Sequence, residues 1–99
     1  IWFTHAKVDT IVPPEETAVP TYKRLIAAGA ENVHFSYYER VLDQTGRFKK
    51  EDGTPFEYFG HGSWIYTLNN DCKLDFDGSP VLLNGQPTTI FEWLAAQRK

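Results

Sequence analysis

The chain holds one cysteine, Cys72, among 99 residues. A single thiol excludes an intrachain disulfide and any zinc site built from several cysteines, while leaving the redox compartment open. A basic excess is also missing. Ten Lys and Arg against thirteen Asp and Glu leave a formal charge of −3, and binding along a phosphate backbone needs a surplus of cations. Nucleic acid is therefore not an expected partner. No apolar run extends beyond a few residues, so the sequence has neither a membrane span nor a signal-peptide core. No membrane partner is expected, and location is not legible. Internal repeats are absent. What remains is the composition of a packed globular protein, 41% apolar and 15% aromatic, long enough for one small domain.

Ile1 to His5 is an apolar run ending in polar residues, the pattern of a strand covered on both faces in a parallel sheet. From Pro14 to Ala28, Ala18, Tyr22, Leu25, Ile26 and Gly29 recur with helical spacing. Glu15 and Glu16 stand at its start, Lys23 and Arg24 nearer its end, and Gly29 is placed to cap it. Pro20 conflicts with a continuous helix and predicts a kink there or a short first turn followed by a restart at Pro20. Asn32 to Tyr38 alternates, with Val33, Phe35 and Tyr37 on one side and His34 and Ser36 on the other, as a strand does. Strand, helix and strand form a parallel βαβ unit with a right-handed crossover. The predicted class is α/β.

Residues 40–60 turn to charged and aromatic side chains around Asp52-Gly53, a two-residue hairpin signal. Trp64, Ile65 and Leu68 place a helix within Gly62 to Asn70. A second hairpin is expected at Asn84-Gly85, between Val81-Leu83 and Thr88-Ile90, and Phe91 to Arg98 closes the chain as a helix. Two parallel strands are not stable alone in water, since three or more, or a covering layer, are normally needed. Because Ile1-Trp2-Phe3 also opens directly on an apolar strand, the expectation is that the chain is the later part of a longer protein.

Asp9 lies in the loop after the first strand, and loops beyond the carboxyl ends of parallel strands share one rim, where ligand and catalytic groups collect. The loop after the second strand leads, through the hairpin, to Gly60-His61-Gly62. By folding 47–58 back on itself the hairpin returns His61 to face Asp9. An aspartate that orients an imidazole, leaving the other ring nitrogen to take a proton from a nucleophile, is the supporting pair of a hydrolytic triad. A turn-forming aspartate and a surface-loop histidine are the plain alternatives.

Asp9-Thr10-Ile11-Val12-Pro13, followed by a helix, a strand and Gly60-His61-Gly62, resembles the carboxyl-terminal part of an α/β-hydrolase-fold serine hydrolase. Within that fold it is most similar to the prolyl-oligopeptidase-like and carboxylesterase branch, and the likeness covers nearly the whole chain. It implies that residues 1–99 are the C-terminal fragment of one α/β-hydrolase domain, with 42–59 an inserted hairpin. It implies Asp9 as triad acid, His61 as triad base, and an ester or peptide substrate. The Gly-x-Ser-x-Gly nucleophile elbow and the oxyanion-hole loop are absent, so the missing N-terminal part of the domain is the implied partner. A second reading keeps the scaffold without catalysis, as an α/β-hydrolase-like ligand-binding or interaction module.

Among the aromatic residues Tyr37, Tyr38, Phe48, Phe56, Tyr58 and Phe59, a pocket role competes with core packing. Tyr58 and Phe59, together with Trp64, are the candidate substrate contacts. Asp71, Asp75, Asp77 and Gly78 only superficially resemble a calcium loop, because no glutamate closes it. No metal and no cofactor are assigned. Cys72 reads as a buried, inert thiol, and His5 and His34 as structural residues. Ser36 lies in a strand, Ser79 in a turn, and Ser63 at a helix start where capping is expected.

Overall fold

A computed structural model describes residues 1–97. It is a mixed α/β structure with three α-helices and three small sheets. Strand β1 (Trp2–Ala6) pairs in parallel with β2 (His34–Tyr38), in a register running from Trp2 opposite His34 to Ala6 opposite Tyr38. The second strand begins two residues later than expected because Asn32 sits at φ +55° and turns the chain first. Nor is β1 covered on both faces throughout: Trp2 to His5 are half-buried and only Ala6 is fully so.

The crossover between these strands carries a 3₁₀ turn at Pro14–Glu16 and then helix α1 (Ala18–Ala27). Of the two outcomes Pro20 allows, a restart is the one observed, but it falls at Ala18 and not at Pro20. Thr17 breaks the run, and Pro20 occupies the third helical position, where an amide hydrogen would have no intrahelical acceptor. At the other end Ala28 caps the helix, and Gly29 lies just beyond it at φ +83°. The Gly29 amide donates to Ile26 and that of Ala30 to Leu25, both at 3.0 Å, a Schellman closure. The buried face also differs from the expected one. Val19 is buried, whereas Ile26 is exposed, a hundred degrees round from Leu25.

Aromatic packing fastens the layers. On the α1 side of the sheet, Tyr22 meets Phe35 with ring centres 5.4 Å apart and Phe76 at 5.0 Å, and Tyr37 stacks on Phe76 at 5.6 Å. On the other side Trp2 packs edge-on against Trp93 at 5.4 Å. Trp93 belongs to α3 (Ile90–Ala95). That helix is shorter than Phe91 to Arg98, and Arg98 lies outside the described residues. Cys72 is buried, as expected, and its thiol donates to Ser36 Oγ at 3.3 Å.

Beyond β2, β3 (Val41–Leu42) pairs antiparallel with β4 (Glu57–Tyr58). The tip is not the two-residue turn expected at Asp52-Gly53. Gly53, at φ +85°, donates to Lys50, and Lys50 donates to Thr54, so a longer loop ends in a left-handed glycine. Buried Asp43 holds the base by accepting the Phe48 amide at 3.2 Å and the Thr45 hydroxyl at 2.9 Å. Helix α2 (Trp64–Leu68) turns Tyr66 inward and leaves Trp64 and Leu68 exposed, the reverse of the periodicity reading. The cause is the Tyr66 hydroxyl, which accepts from the Leu42 amide at 2.6 Å and donates to the Arg40 carbonyl at 3.1 Å.

The expected hairpin at Asn84-Gly85 is present, with both residues at positive φ, between β5 (Leu82–Leu83) and β6 (Gln86–Pro87). Thr88 to Ile90 is not a strand: the Thr88 amide still donates to the Val81 carbonyl at 3.0 Å, but Val81 gives its own amide to Lys73, and α3 starts at Ile90. No helix among the described residues is long and apolar enough to cross a membrane.

Phe35 is fully buried and touches rings from β1, α1 and the segment at Phe76. Phe35→Ala should therefore lower unfolding stability by about 3–5 kcal/mol, read as a fall in denaturant midpoint at unchanged slope.

Candidate active site

Strand β1 ends at Ala6, and the chain turns so that the Asp9 amide donates back to the Ala6 carbonyl at 3.2 Å. Asp9 is only 6% exposed. A buried carboxylate needs donors, and this one has four N–H groups. Oδ1 accepts the Ile11 and Val12 amides, each at 2.9 Å. Oδ2 accepts His61 Nδ1–H at 2.9 Å, across 52 residues of sequence, and His5 Nε2–H at 3.1 Å. Burial pushes the Asp9 pKa up, but the bonds from Val12, His61 and Ile11, with the nearby His61 charge, outweigh it and hold the carboxyl below its ordinary range.

The sheet explains why the two loops meet. Parallel pairing brings the ends of β1 and β2 to one rim. From Tyr38 the chain runs straight into β3, and β4 returns with Tyr58 opposite Val41. Gly60 follows two residues later, opening a 3₁₀ turn, Gly60–Gly62, with the Gly62 amide on the Phe59 carbonyl at 2.9 Å. Gly60 is buried, and a Cβ there would sit 2.3 Å from the Val8 carbonyl oxygen and 2.8 Å from the Asp9 amide nitrogen. Only glycine lets the His61 turn lie directly on the Asp9 turn.

With Nδ1–H given to Asp9, Nε2 is the ring nitrogen of His61 that this bond leaves free. The imidazole is 49% exposed while the carboxylate beneath it is 4% exposed. It stands between two depressions. One is lined by Thr4, His5, Asp9, Val12, Ser63 and Trp64 as well as His61. The other, more apolar, is lined by Tyr58, Phe59, Trp64 and Ile65 beside His61 and Gly62.

His61 links the candidate residues: it is hydrogen-bonded to Asp9, and it shares the more apolar depression with Tyr58, Phe59 and Trp64. Of the other aromatics, Phe56 packs edge-on against Tyr58 at 5.1 Å, while Tyr37 and Tyr38 go elsewhere. Tyr37 packs on Phe76, with its hydroxyl on Glu15 at 2.7 Å, and burial and the Glu15 carboxylate push its pKa up to about 12. Tyr38 stacks on Tyr66 at 4.1 Å within the core.

The serines take distinct places. Ser36 is fully buried, donating to the Leu74 carbonyl at 2.5 Å and accepting Trp2 Nε1–H at 2.9 Å. Ser79 is tied into its turn by Asp77. Ser63 does not cap α2: its backbone is already helical at φ −58°, ψ −21°, and its side chain makes no capping bond. It is buried and lines the depression below His61. The aspartates near Gly78 are committed to the fold, since Asp75 accepts the Phe35 and Phe76 amides and contacts His34.

One residue in the site escaped the sequence reading. His5 was expected to be structural at a strand end, yet its ring reaches the same carboxylate oxygen as His61. The signal available was its spacing of four from Asp9, which carries no information in a strand followed by a turn.

Gly60→Ala should force the two turns apart and break the His61–Asp9 bond, seen by NMR as loss of the Nδ1–H resonance, with a stability cost of about 1–3 kcal/mol. Gly62→Ala is the control, because its Cβ would meet only Ile65 Cδ1 at 3.6 Å. The acid limb gives a second test. The folded-state pKa of Asp9 is lowered, so its contribution to stability is complete above the unfolded value of about 3.9 and disappears as pH falls through the folded value. The stability difference between wild type and Asp9→Asn should shrink as pH falls below about 4, measured by denaturant titration.

A scan against protein-family models, a search of curated proteins and a search of solved structures found no match, which leaves the site's own geometry to carry a functional reading.

Proposed function

We propose that this chain supplies the acid and base of a Ser-His-Asp triad in a serine hydrolase of the α/β-hydrolase fold, acting on an ester or peptide bond. The nucleophilic serine belongs to the missing N-terminal part of the same domain. The observation that carries this reading is the 2.9 Å bond from His61 Nδ1–H to a buried Asp9, formed between the loop after β1 and the turn to which the β3–β4 hairpin returns the chain after β2.

In this mechanism His61 Nε2 takes the serine hydroxyl proton as the oxygen attacks the carbonyl carbon. Asp9 stabilises the imidazolium so formed and keeps the ring in the productive tautomer. The imidazolium then gives its proton to the departing alcohol or amine, leaving an acyl-enzyme. Water, deprotonated by the same Nε2, releases the acid and restores the serine. Tyr58, Phe59 and Trp64, on the open side of the ring, hold apolar parts of the substrate. The open edge of β1 supports the partner assignment, since among the described residues only β2 pairs with it.

The same exposed aromatic trough favours a second reading, a non-catalytic module that binds an apolar ligand there.

Activity separates the two. In the protein completed by its preceding segment, Asp9→Asn should lower kcat by about 10⁴ while leaving the fold intact. His61→Ala should be at least as damaging. A fluorophosphonate probe should label a serine upstream of Ile1. Near-wild-type turnover in Asp9→Asn, or a probe adduct within residues 1–99, would overturn the division of roles. A completed protein that neither turns over esters nor reacts would favour the binding module.

A further inference from the structure

We propose that His5 is a positioning residue for Asp9: its Nε2–H, forked between the carboxylate and the Val12 carbonyl, holds in place the oxygen to which His61 is bound. The consequence for turnover rests on the triad reading, whereas the positioning itself does not.

Nε2 of His5 lies 3.1 Å from Asp9 Oδ2 and 2.8 Å from the Val12 carbonyl oxygen. A carbonyl and a carboxylate can only accept, so Nε2 must carry the proton. The ring is 12% exposed and fixed at the end of β1, so the donor arrives from a rigid element. Each carboxylate oxygen then has its own anchor. Oδ1 is pinned by the Ile11 and Val12 amides, and Oδ2 by His5. Two anchors on two oxygens define the plane of the carboxylate, where one would leave it free to swing.

The alternative holder of Oδ2 is His61 itself. Its side chain is 49% exposed and rides on a three-residue 3₁₀ turn, so it is the group to be oriented rather than the one that orients. His5 also grips the Val12 carbonyl, while the Val12 amide grips Oδ1. The turn from Asp9 to Val12 is therefore closed on itself through one imidazole. Loss of the donor should free Oδ2 and loosen its bond to His61, although the volume of the ring could be replaced.

The test is NMR on the chain with ¹⁵N-labelled histidine, following the His61 Nδ1–H resonance and its exchange with water in wild type, His5→Gln and His5→Leu. The glutamine amide can place N–H groups near the position of Nε2, and leucine fills the space without a donor. Exchange in His5→Leu should be at least about tenfold faster than in wild type, and that in His5→Gln within about threefold of it, with the amides of β1 and β2 equally protected in all three. A packing role predicts the reverse, with leucine tolerated and glutamine not, and would overturn the proposal. The wild-type chain offers a check that needs no variant: the ¹⁵N shifts of His5 should report a proton on Nε2. A neutral His5 protonated only on Nδ1 overturns the proposal even if His5→Leu fails to fold. Lack of hydrolytic activity in the completed protein would remove the triad reading and leave these NMR outcomes standing.

Discussion

A charge that leaves water has to be met by donors, and Asp9 is the charge around which this structure closes. The residue is 6% exposed, and its carboxylate accepts hydrogen bonds from Ile11, Val12, His5 and His61. Two donors are local amides of one turn, one belongs to the strand before it, and the fourth is 52 residues away. Removing any donor would leave a buried anion short of a partner, which costs more than the bond contributes when made. The local donors make the turn; the distant one recruits a separate loop. Gly60 is the steric condition for that recruitment, since its backbone lies where a side chain would strike Val8 and Asp9.

The central sheet is asymmetric in the way it treats its edges. The outer edge of β2 is sealed: Asp75 takes the Phe35 amide at 3.1 Å, and the Ser36 hydroxyl reaches the Leu74 carbonyl. An edge whose amide is held by a carboxylate offers no template for another strand. The edge of β1 has no such cover. The ladder engages Ile1 and Lys7 with β2, and by alternation leaves the backbone groups of Trp2 and Thr4 facing outward. The chain also exposes 6741 Å², against about 5,800 Å² for a compact monomer of its mass. Our proposal of a neighbouring strand from the same domain accounts for both the open edge and the extra surface.

Much of the fold was legible because local rules acted without competition. The βαβ unit could be read from the apolar run of β1, the alternation of β2 and the Gly29 helix end between them, although Glu15 and Glu16 fall in the 3₁₀ turn and not in α1, and Asn84-Gly85 specified its turn through two positive φ angles. Tertiary bonds decided the rest. Tyr66 turned inward because its hydroxyl finds Arg40 and Leu42, which no periodicity of α2 could disclose. Ser63 gave up capping because the preceding 3₁₀ turn already sets helical angles there. The meeting of Asp9 and His61 was identifiable from loop position and glycine context. His5 was not, because its role depends on the direction in which the chain turns after Ala6.

The Asp9 arrangement also bears on any proton that reaches His61. In water, a new positive charge is stabilised only after solvent dipoles reorient, and that reorientation is part of the barrier. Here the compensating anion lies 2.9 Å from Nδ1, and its own solvation is supplied by fixed N–H groups. Little has to move when Nε2 is protonated, and electrostatic preorganisation of this kind is what general-base chemistry exploits. The half-exposed ring edge remains open to a reacting group, while the carboxylate behind it stays sealed from water. Phe59 and Trp64, both largely exposed, share a depression with His61, and an apolar group bound there would lower the local dielectric further. The anion is therefore prepared before any proton arrives, and the medium around the base becomes less polar only once an apolar group is bound.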